Sequence, residues 1–168
     1  MDATIERIDP RDIATVVIEL GSDVKNFYQL ENVSKSLRVI DSYANNLFKE
    51  IYDLSLLPTE INYFRVNSKP RISFPIDAAW LAVLIAFGSG YSDLKENIPI
   101  MIQDAEYIIN EIHEDAEDLV QDVKYMIQQI AEDNQDHTKN MENIRNAYAV
   151  LRGEDGLRIV EIKRKKGS

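Results

Sequence analysis

The most apolar stretch of the chain runs from Phe74 to Gly88 and contains a single charged residue, Asp77. Asp77 is a suitable N-cap and Gly88 a suitable C-cap, so the stretch predicts a helix that is apolar on nearly every side. Such a helix is typical of a core covered from several directions. Crossing a bilayer needs about 20 apolar residues, more than this stretch provides. The pattern therefore favours a buried core helix over a membrane segment.

Two longer segments repeat apolar residues at alternating steps of four and three, which predicts amphipathic helices. The first runs from Glu31 to about Leu54, and the second follows Pro99 and reaches Ile130. The heptad seam of the second is widened by further apolar residues, so we expect a broad buried stripe rather than a two-stranded coiled coil. The pattern lapses near residues 133–138. It resumes from Met141 to Leu151, as a further helix or as the same helix continued.

Four segments have the composition and alternation of strands. Residues 9–21 are ambiguous, because Asp9-Pro10 resembles a helix start while the β-branched run that follows favours a strand from about Ala14 to Leu20. Residues 61–66 and 71–76 predict an antiparallel hairpin, with Pro75 near a strand end or a sheet edge. Residues 157–162 predict a last strand.

Together these elements predict one α+β domain spanning residues 1–168, with a basic C-terminal tail at 163–168. A small, mostly antiparallel sheet packs with the buried apolar helix and with the long amphipathic helices. The predicted order along the chain is β-α-β-β-α-α-α-β.

The charge is distributed unevenly along the chain. Between Met101 and Asp136 there are eleven acids and one base, Lys124, so this segment accounts for the whole formal net charge of −10. An acidic balance disfavours sequence-independent binding to nucleic acid, because phosphates require a basic surface. There is no cysteine, which excludes disulfides and thiolate chemistry, and the N-terminus lacks the apolar core of a signal peptide. We expect a cytoplasmic protein.

No recognisable catalytic, cofactor or metal signature accompanies this charge. His113 has Glu117 one turn later, and His137 has Asp133 one turn before, but a zinc or di-iron site needs three or more inward-facing ligands. No serine lies in a nucleophile elbow, and no glycine-rich loop matches a phosphate-binding pattern. We therefore expect neither an enzyme nor a cofactor.

Two functions remain open from the sequence. The first is a non-catalytic interaction or assembly module that self-associates into a homo-oligomer through its amphipathic helices. The second is an acidic inhibitor or immunity-type protein that covers a basic protein partner with the acidic helix face at residues 104–136. The residues predicted to bind a partner are Glu111, Glu114, Asp115, Glu117, Asp118 and Asp122.

Overall fold

The computed structural model describes residues 9–54, 56, 59–88, 93–113, 116–135 and 139–164. The described residues form four strands and five helices, which confirms the predicted α+β class. In chain order the elements are β1 (Ala14–Glu19), α1 (Phe27–Tyr52), β2 (Asn62–Val66), β3 (Lys69–Ile76), α2 (Ala78–Gly88), α3 (Ile98–Ile112), α4 (Glu117–Gln135), α5 (Lys139–Arg152) and β4 (Arg158–Arg164).

The four strands form one antiparallel sheet in the order β2-β3-β1-β4. The ambiguous first segment is a strand, as predicted, and it lies at the centre of the sheet. Alternate residues of β1 and β3 turn to one face and are buried there, for example Val16 opposite Phe74 and Ile18 opposite Ile72. This period of two explains why the β-branched run of β1 prevails over the helix start that Asp9-Pro10 suggests.

The hairpin of β2 and β3 turns through two residues only, Asn67 and Ser68. Both have positive φ angles, 52° and 68°, as the tight turn of a two-residue hairpin requires. The predicted loop of four residues was therefore two residues too long. Pro75 lies in β3 beyond Ser73, the last β3 residue that pairs with β2. Its missing N–H therefore interrupts no bond between these two strands.

Helix α2 is the centre of the core, as its apolar sequence predicts. Every residue from Ala78 to Phe87 is buried, and α2 contacts β3 and the helices α1, α3, α4 and α5. Trp80 is 3% exposed and packs edge-on against Phe74, with 5.0 Å between the ring centroids. Removing a buried aromatic side chain of this size costs about 3–5 kcal/mol in other proteins. Among the helices of the described residues, none has the length and apolarity to cross a membrane.

Helix α1 begins one turn earlier than its apolar stripe predicts. The side chain of Asn26 accepts a hydrogen bond from the backbone N–H of Gln29, at 2.8 Å, and the Gln29 side chain accepts one from the backbone N–H of Lys25, at 2.7 Å. The first of these bonds satisfies an unpaired amide in the first turn of the helix, and the second satisfies the amide of the residue just before the cap. The exposed residues Phe27 and Tyr28 thus belong to the helix although they do not belong to its buried stripe.

The prediction of a single long helix after Pro99 is wrong, because two helices, α3 and α4, lie there. The described residues therefore contain one more helix than predicted. His113 leaves the helical conformation, with φ −141° and ψ 130°. Glu117 and Asp118 then occupy the first turn of α4, where acidic side chains stabilise a helix. The buried spacing of Ile112, Ala116 and Leu119 continues across the break, so the apolar pattern alone could not reveal it.

The last strand is longer than predicted. Lys163 and Arg164, assigned from the sequence to a basic tail, pair with Thr15 and Ala14 as part of β4, while residues 165–168 lie outside the described residues. On the sheet face opposite the core, Glu19 is bound by Arg71 at 2.9 Å, Arg158 at 3.5 Å and Lys69 at 3.7 Å. Burial alone would raise the pKa of Glu19, but the hydrogen bond from Arg71 and the three positive charges lower it. This cluster ties β1, β3 and β4 together.

Candidate functional site

An apolar groove of about 360 Å³ opens between α1 and the β2–β3 hairpin. Its walls come from one face of α1 and from the core-facing sides of the two strands, and Trp80 of α2 contributes to its lining. Most of the lining is aliphatic or aromatic, with a few polar groups among them. The lining residues are Leu30, Val33, Ser34, Leu37, Arg38, Asp41, Thr59, Ile61, Tyr63, Ile72, Phe74 and Trp80.

The periodicities of the two walls place these side chains in the groove. On α1, Leu30, Val33 and Leu37 are three and four residues apart and therefore share a face. On the hairpin, Tyr63 lies directly opposite Ile72, so both point to the same side of the sheet. Ile61, just before β2, is 57% exposed. The outer part of the groove thus leaves large apolar side chains in contact with water, which is the usual mark of a binding surface.

A hydrogen-bonded cluster fixes Trp80 at the inner end of the groove. The indole Nε1 donates to Oδ1 of Asp41 at 2.7 Å, and the hydroxyl of Thr59 donates to the same oxygen at 3.2 Å. The backbone N–H of Trp80 donates to Oδ1 of Asp77, the N-cap of α2, at 2.9 Å. Within the described residues, Oδ2 of Asp41 accepts no hydrogen bond. A carboxylate oxygen in the lining therefore remains available to a ligand.

Asp77 is 5% exposed, and its protonation is unusual. Burial raises the pKa of Asp77 to about 7, and the negative charge of Asp41 adds to the effect, against the hydrogen bonds from Trp80 and Ala79 that favour the ionised form. Two carboxyl groups thus lie close together beside the groove. A positive charge bound next to Asp41 would relieve their mutual repulsion.

The open edge of β2 borders the groove. The order of the sheet places β2 at one edge, so one side of its backbone pairs with β3 and the other has no strand beside it among the described residues. An edge of this kind can accept hydrogen bonds from an extended peptide. The groove therefore combines apolar side-chain sites with an unpaired strand.

The residues predicted to bind a partner are placed differently from one another. Glu111 lies exposed on α3, and Glu117 and Asp118 are exposed in the first turn of α4. Glu114 and Asp115 lie outside the described residues. Asp122 is partly buried, because its Oδ2 accepts the hydroxyl hydrogen of Tyr52 at 2.7 Å. Asp122 therefore holds α4 against α1 instead of standing free on the surface.

A second tyrosine–carboxylate pair joins the same two helices. Tyr43 donates to Oδ2 of Asp133 at 3.0 Å. Burial raises the pKa of Tyr43 and of Tyr52, and the hydrogen bond and the negative charge of the partner carboxylate raise it further. Both phenols therefore stay protonated and act as hydrogen-bond donors. Asp122 and Asp133, two of the acids between Met101 and Asp136, therefore help to hold α4 against α1.

The histidines are not gathered into a site. The ring Nε2 of His113 lies 3.1 Å from the backbone oxygen of Ile13, which links the end of α3 to the start of the sheet. His137 lies outside the described residues. Within the part of the chain that the structure describes, no three metal-ligating side chains come close enough to hold an ion.

The sequence did not point to the groove. By its spacing Leu37 belongs to the apolar repeat of α1 and Asp41 lies off that repeat, while Leu30 precedes the predicted start of the helix. The available signal was the pair of apolar residues Ile61 and Tyr63 in the predicted strand 61–66, which carries only one charge, Arg65. Only the folded chain shows that these residues face α1.

Fold and groove together define this protein as an α+β domain in which an edge strand and a helix enclose an exposed apolar cleft. No protein-family model, no curated protein and no solved structure matches the chain.

Proposed function

We propose that this protein is a non-catalytic protein-interaction module that binds its partner in the groove between α1 and β2. The observation that carries the proposal is the cluster of exposed apolar residues at the groove, Leu30, Ile61 and Tyr63, next to an unpaired strand edge. A surface of this kind is costly in water and gains stability when a partner covers it.

The groove is a better candidate surface than the amphipathic helices themselves. The seam residues of α4, among them Val123, Met126 and Ile130, are already buried within one chain. They therefore give no reason to recruit a second copy. Self-association remains part of the proposal only insofar as a second copy can cover the groove.

Site-specific photo-crosslinking tests the proposal directly. A photoreactive amino acid replaces Ile61 in the groove or, as the control, Tyr125 on α4, which is exposed to a similar extent, 57% against 52%. In cells of the source organism we expect an adduct with one defined protein from position 61 and none from position 125. A second substitution, Leu30→Asp, is expected to abolish that adduct.

The mass of the adduct identifies the occupant. A product at about twice the chain mass of 19.3 kDa would mean that a second copy covers the groove. The same adduct pattern from both positions, or none from position 61, would contradict the proposed docking surface.

A second candidate function is the acidic inhibitor, which the charge distribution on α3 and α4 favours. Exposed acids on these helices include Asp104, Glu106, Glu111, Glu117 and Asp118, with Lys124 as the single base. Such a surface attracts a basic protein by long-range electrostatics. In this case the partner would bind the two helices and leave the groove open.

A further inference from the structure

We propose that the groove binds an extended segment of a basic partner protein, which adds to the sheet beside β2 and places a lysine or arginine next to Asp41. This inference rests on the proposed function and goes further by specifying the conformation and the chemistry of the bound segment. Four observations support it: the phase of the hydrogen-bond ladder, the length of the groove, the contrast between the two sheet edges, and the carboxylate of Asp41.

The alternation of hydrogen-bonded and non-hydrogen-bonded pairs between β2 and β3 shows which backbone groups of β2 face the open edge of the sheet. The backbone oxygen of Pro70 accepts a hydrogen bond from Leu20, the residue just after β1, so the backbone of Pro70 faces away from β2. Its partner on β2, Arg65, therefore belongs to a pair without hydrogen bonds and directs its own N–H and C=O to the open edge. Tyr63 has the same phase. Two residues of β2 thus present unpaired donors and acceptors to an added strand.

The groove is long enough for a short extended segment. From Leu30 to Asp41 the lining of α1 covers about 16 Å at the helical rise of about 1.5 Å per residue. An extended chain covers this distance with about five residues. On strand β2, the guanidinium of Arg65 donates to the backbone oxygen of Val24, two residues before the Asn26 cap of α1. The bound segment therefore lies between this contact and Asp41.

The two edges of the sheet differ in how they are protected. The edge strand β4 carries four charged residues, Arg158, Glu161, Lys163 and Arg164, and charges of this kind protect an edge from pairing with another chain. The edge strand β2 carries only Arg65, and that side chain is bound to Val24. This asymmetry identifies β2 as the edge that is left open to a ligand.

The chemistry of the lining specifies the side chains of the ligand. Alternate residues of an added strand point into the groove, where aliphatic side chains would contact Leu37, Tyr63 and Phe74. Asp41 is partly buried and its Oδ2 is unbound within the described residues, so a cation placed there forms a charge-assisted hydrogen bond. Arg38 is exposed on the same wall, where water solvates its charge.

Selection from a display library tests this inference. The probe is a random library of eight-residue peptides, selected on the immobilised full chain. We expect enrichment of peptides with apolar residues at alternate positions and with one lysine or arginine at a fixed place in that alternation. The most enriched peptide is then synthesised, and its binding is followed by the fluorescence of Trp80, the only tryptophan, which lines the groove.

Two matched variants separate backbone from side-chain recognition. Tyr63→Pro and Tyr63→Thr both lose the ring, but only proline removes the N–H that faces the open edge, so we expect the proline variant to bind the peptide about tenfold more weakly than the threonine variant. Asp41→Asn is expected to weaken binding about tenfold or more for the peptide with lysine, and to leave the peptide with norleucine at that place unchanged.

The outcomes distinguish this inference from the proposed function. Three results would overturn strand addition. The selected residues could show helical spacing, the proline and threonine variants could bind the peptide equally well, or the library could yield no binding peptide. If Asp41→Asn lowered the affinity for the lysine peptide and the norleucine peptide equally, the proposed role of Asp41 would be overturned. In each case an adduct from position 61 would still support the groove as a docking surface, whereas its absence would remove the proposed function itself.

Discussion

At the scale of single residues, Asp77 is subject to two opposing demands. As the N-cap of α2 it accepts a hydrogen bond from the backbone of Trp80, which favours the ionised carboxylate. Its burial and the nearby charge of Asp41 favour the protonated form and raise its pKa from 3.8 to about 7. The protein therefore binds this proton more tightly when folded than when unfolded, which makes its stability dependent on pH.

The substitution Asp77→Asn tests this linkage, since the amide oxygen can still cap the helix while the charge is gone. Because the folded pKa is the higher one, the contribution of Asp77 to wild-type stability is greatest below about pH 4, falls as the pH rises to about 7, and is constant above. Each pKa unit corresponds to about 1.4 kcal/mol. Relative to wild type, we expect the variant to gain roughly 2–4 kcal/mol between pH 4 and pH 8 in urea titrations. A constant difference across this range would contradict the raised pKa.

Single residues also show where sequence reasoning ends. The burial of Trp80 and the capping role of Asp77 could be predicted, because both depend on neighbours within a few positions along the chain. The hydrogen bond between Trp80 and Asp41 joins residues 39 positions apart. Asp41 lies on the polar side of an amphipathic helix, where a solvated aspartate is the ordinary expectation. Its place in the groove follows from packing that periodicity does not encode.

At the scale of elements, the helices and strands were predictable where a single periodicity dominates. The period of two in β3 and the uniform apolarity of α2 gave nearly correct bounds. Errors arose where local hydrogen bonding decides the outcome, as at the cap formed by Asn26 and at the break near His113. Asn26 and Gln29 are three residues apart and could have been recognised as a capping pair. The break lies within an unbroken apolar seam, so the periodicity gave no sign of it.

Successive residues of β2 direct their backbone N–H groups to opposite sides of the strand, and this alternation leads to a prediction about proline. At Tyr63 the N–H faces the open edge, whereas at Phe64 it faces β3 and belongs to the ladder. Phe64→Pro should therefore remove a hydrogen bond between β2 and β3, whereas Tyr63→Pro should leave the hydrogen bonds between these strands intact. A threonine variant at each position serves as the reference for the proline variant. We expect the loss in free energy of unfolding from threonine to proline to be about 2 kcal/mol larger at position 64 than at position 63. Equal costs in chemical denaturation would show that the assigned phase is wrong.

At the scale of the whole molecule, the charges and the apolar groove lie on different elements. Of the acids predicted to bind a partner, Glu111 lies on α3, and Glu117, Asp118 and Asp122 lie on α4, while the groove lies between α1 and β2. None of the exposed acids Glu111, Glu117 and Asp118 lines the groove. Exposed charges act over about 8 Å at physiological ionic strength. The acidic surface and the groove should therefore act independently of each other.

This independence separates the two candidate functions in one experiment. The triple variant Glu111→Lys, Glu117→Lys and Asp118→Lys reverses the acidic surface, and the control Glu50→Lys, Glu154→Lys and Asp155→Lys changes the net charge equally at other exposed sites. Both are combined with the photoreactive residue at position 61. If the groove binds the partner, both variants should yield the same adduct in similar amount at 0.15 M salt, since neither alters the groove. If the partner instead binds the acidic helices and leaves the groove open, position 61 should yield no adduct in either variant or with the unmodified surface. Loss of the adduct in the first variant alone would contradict the independence of the two surfaces.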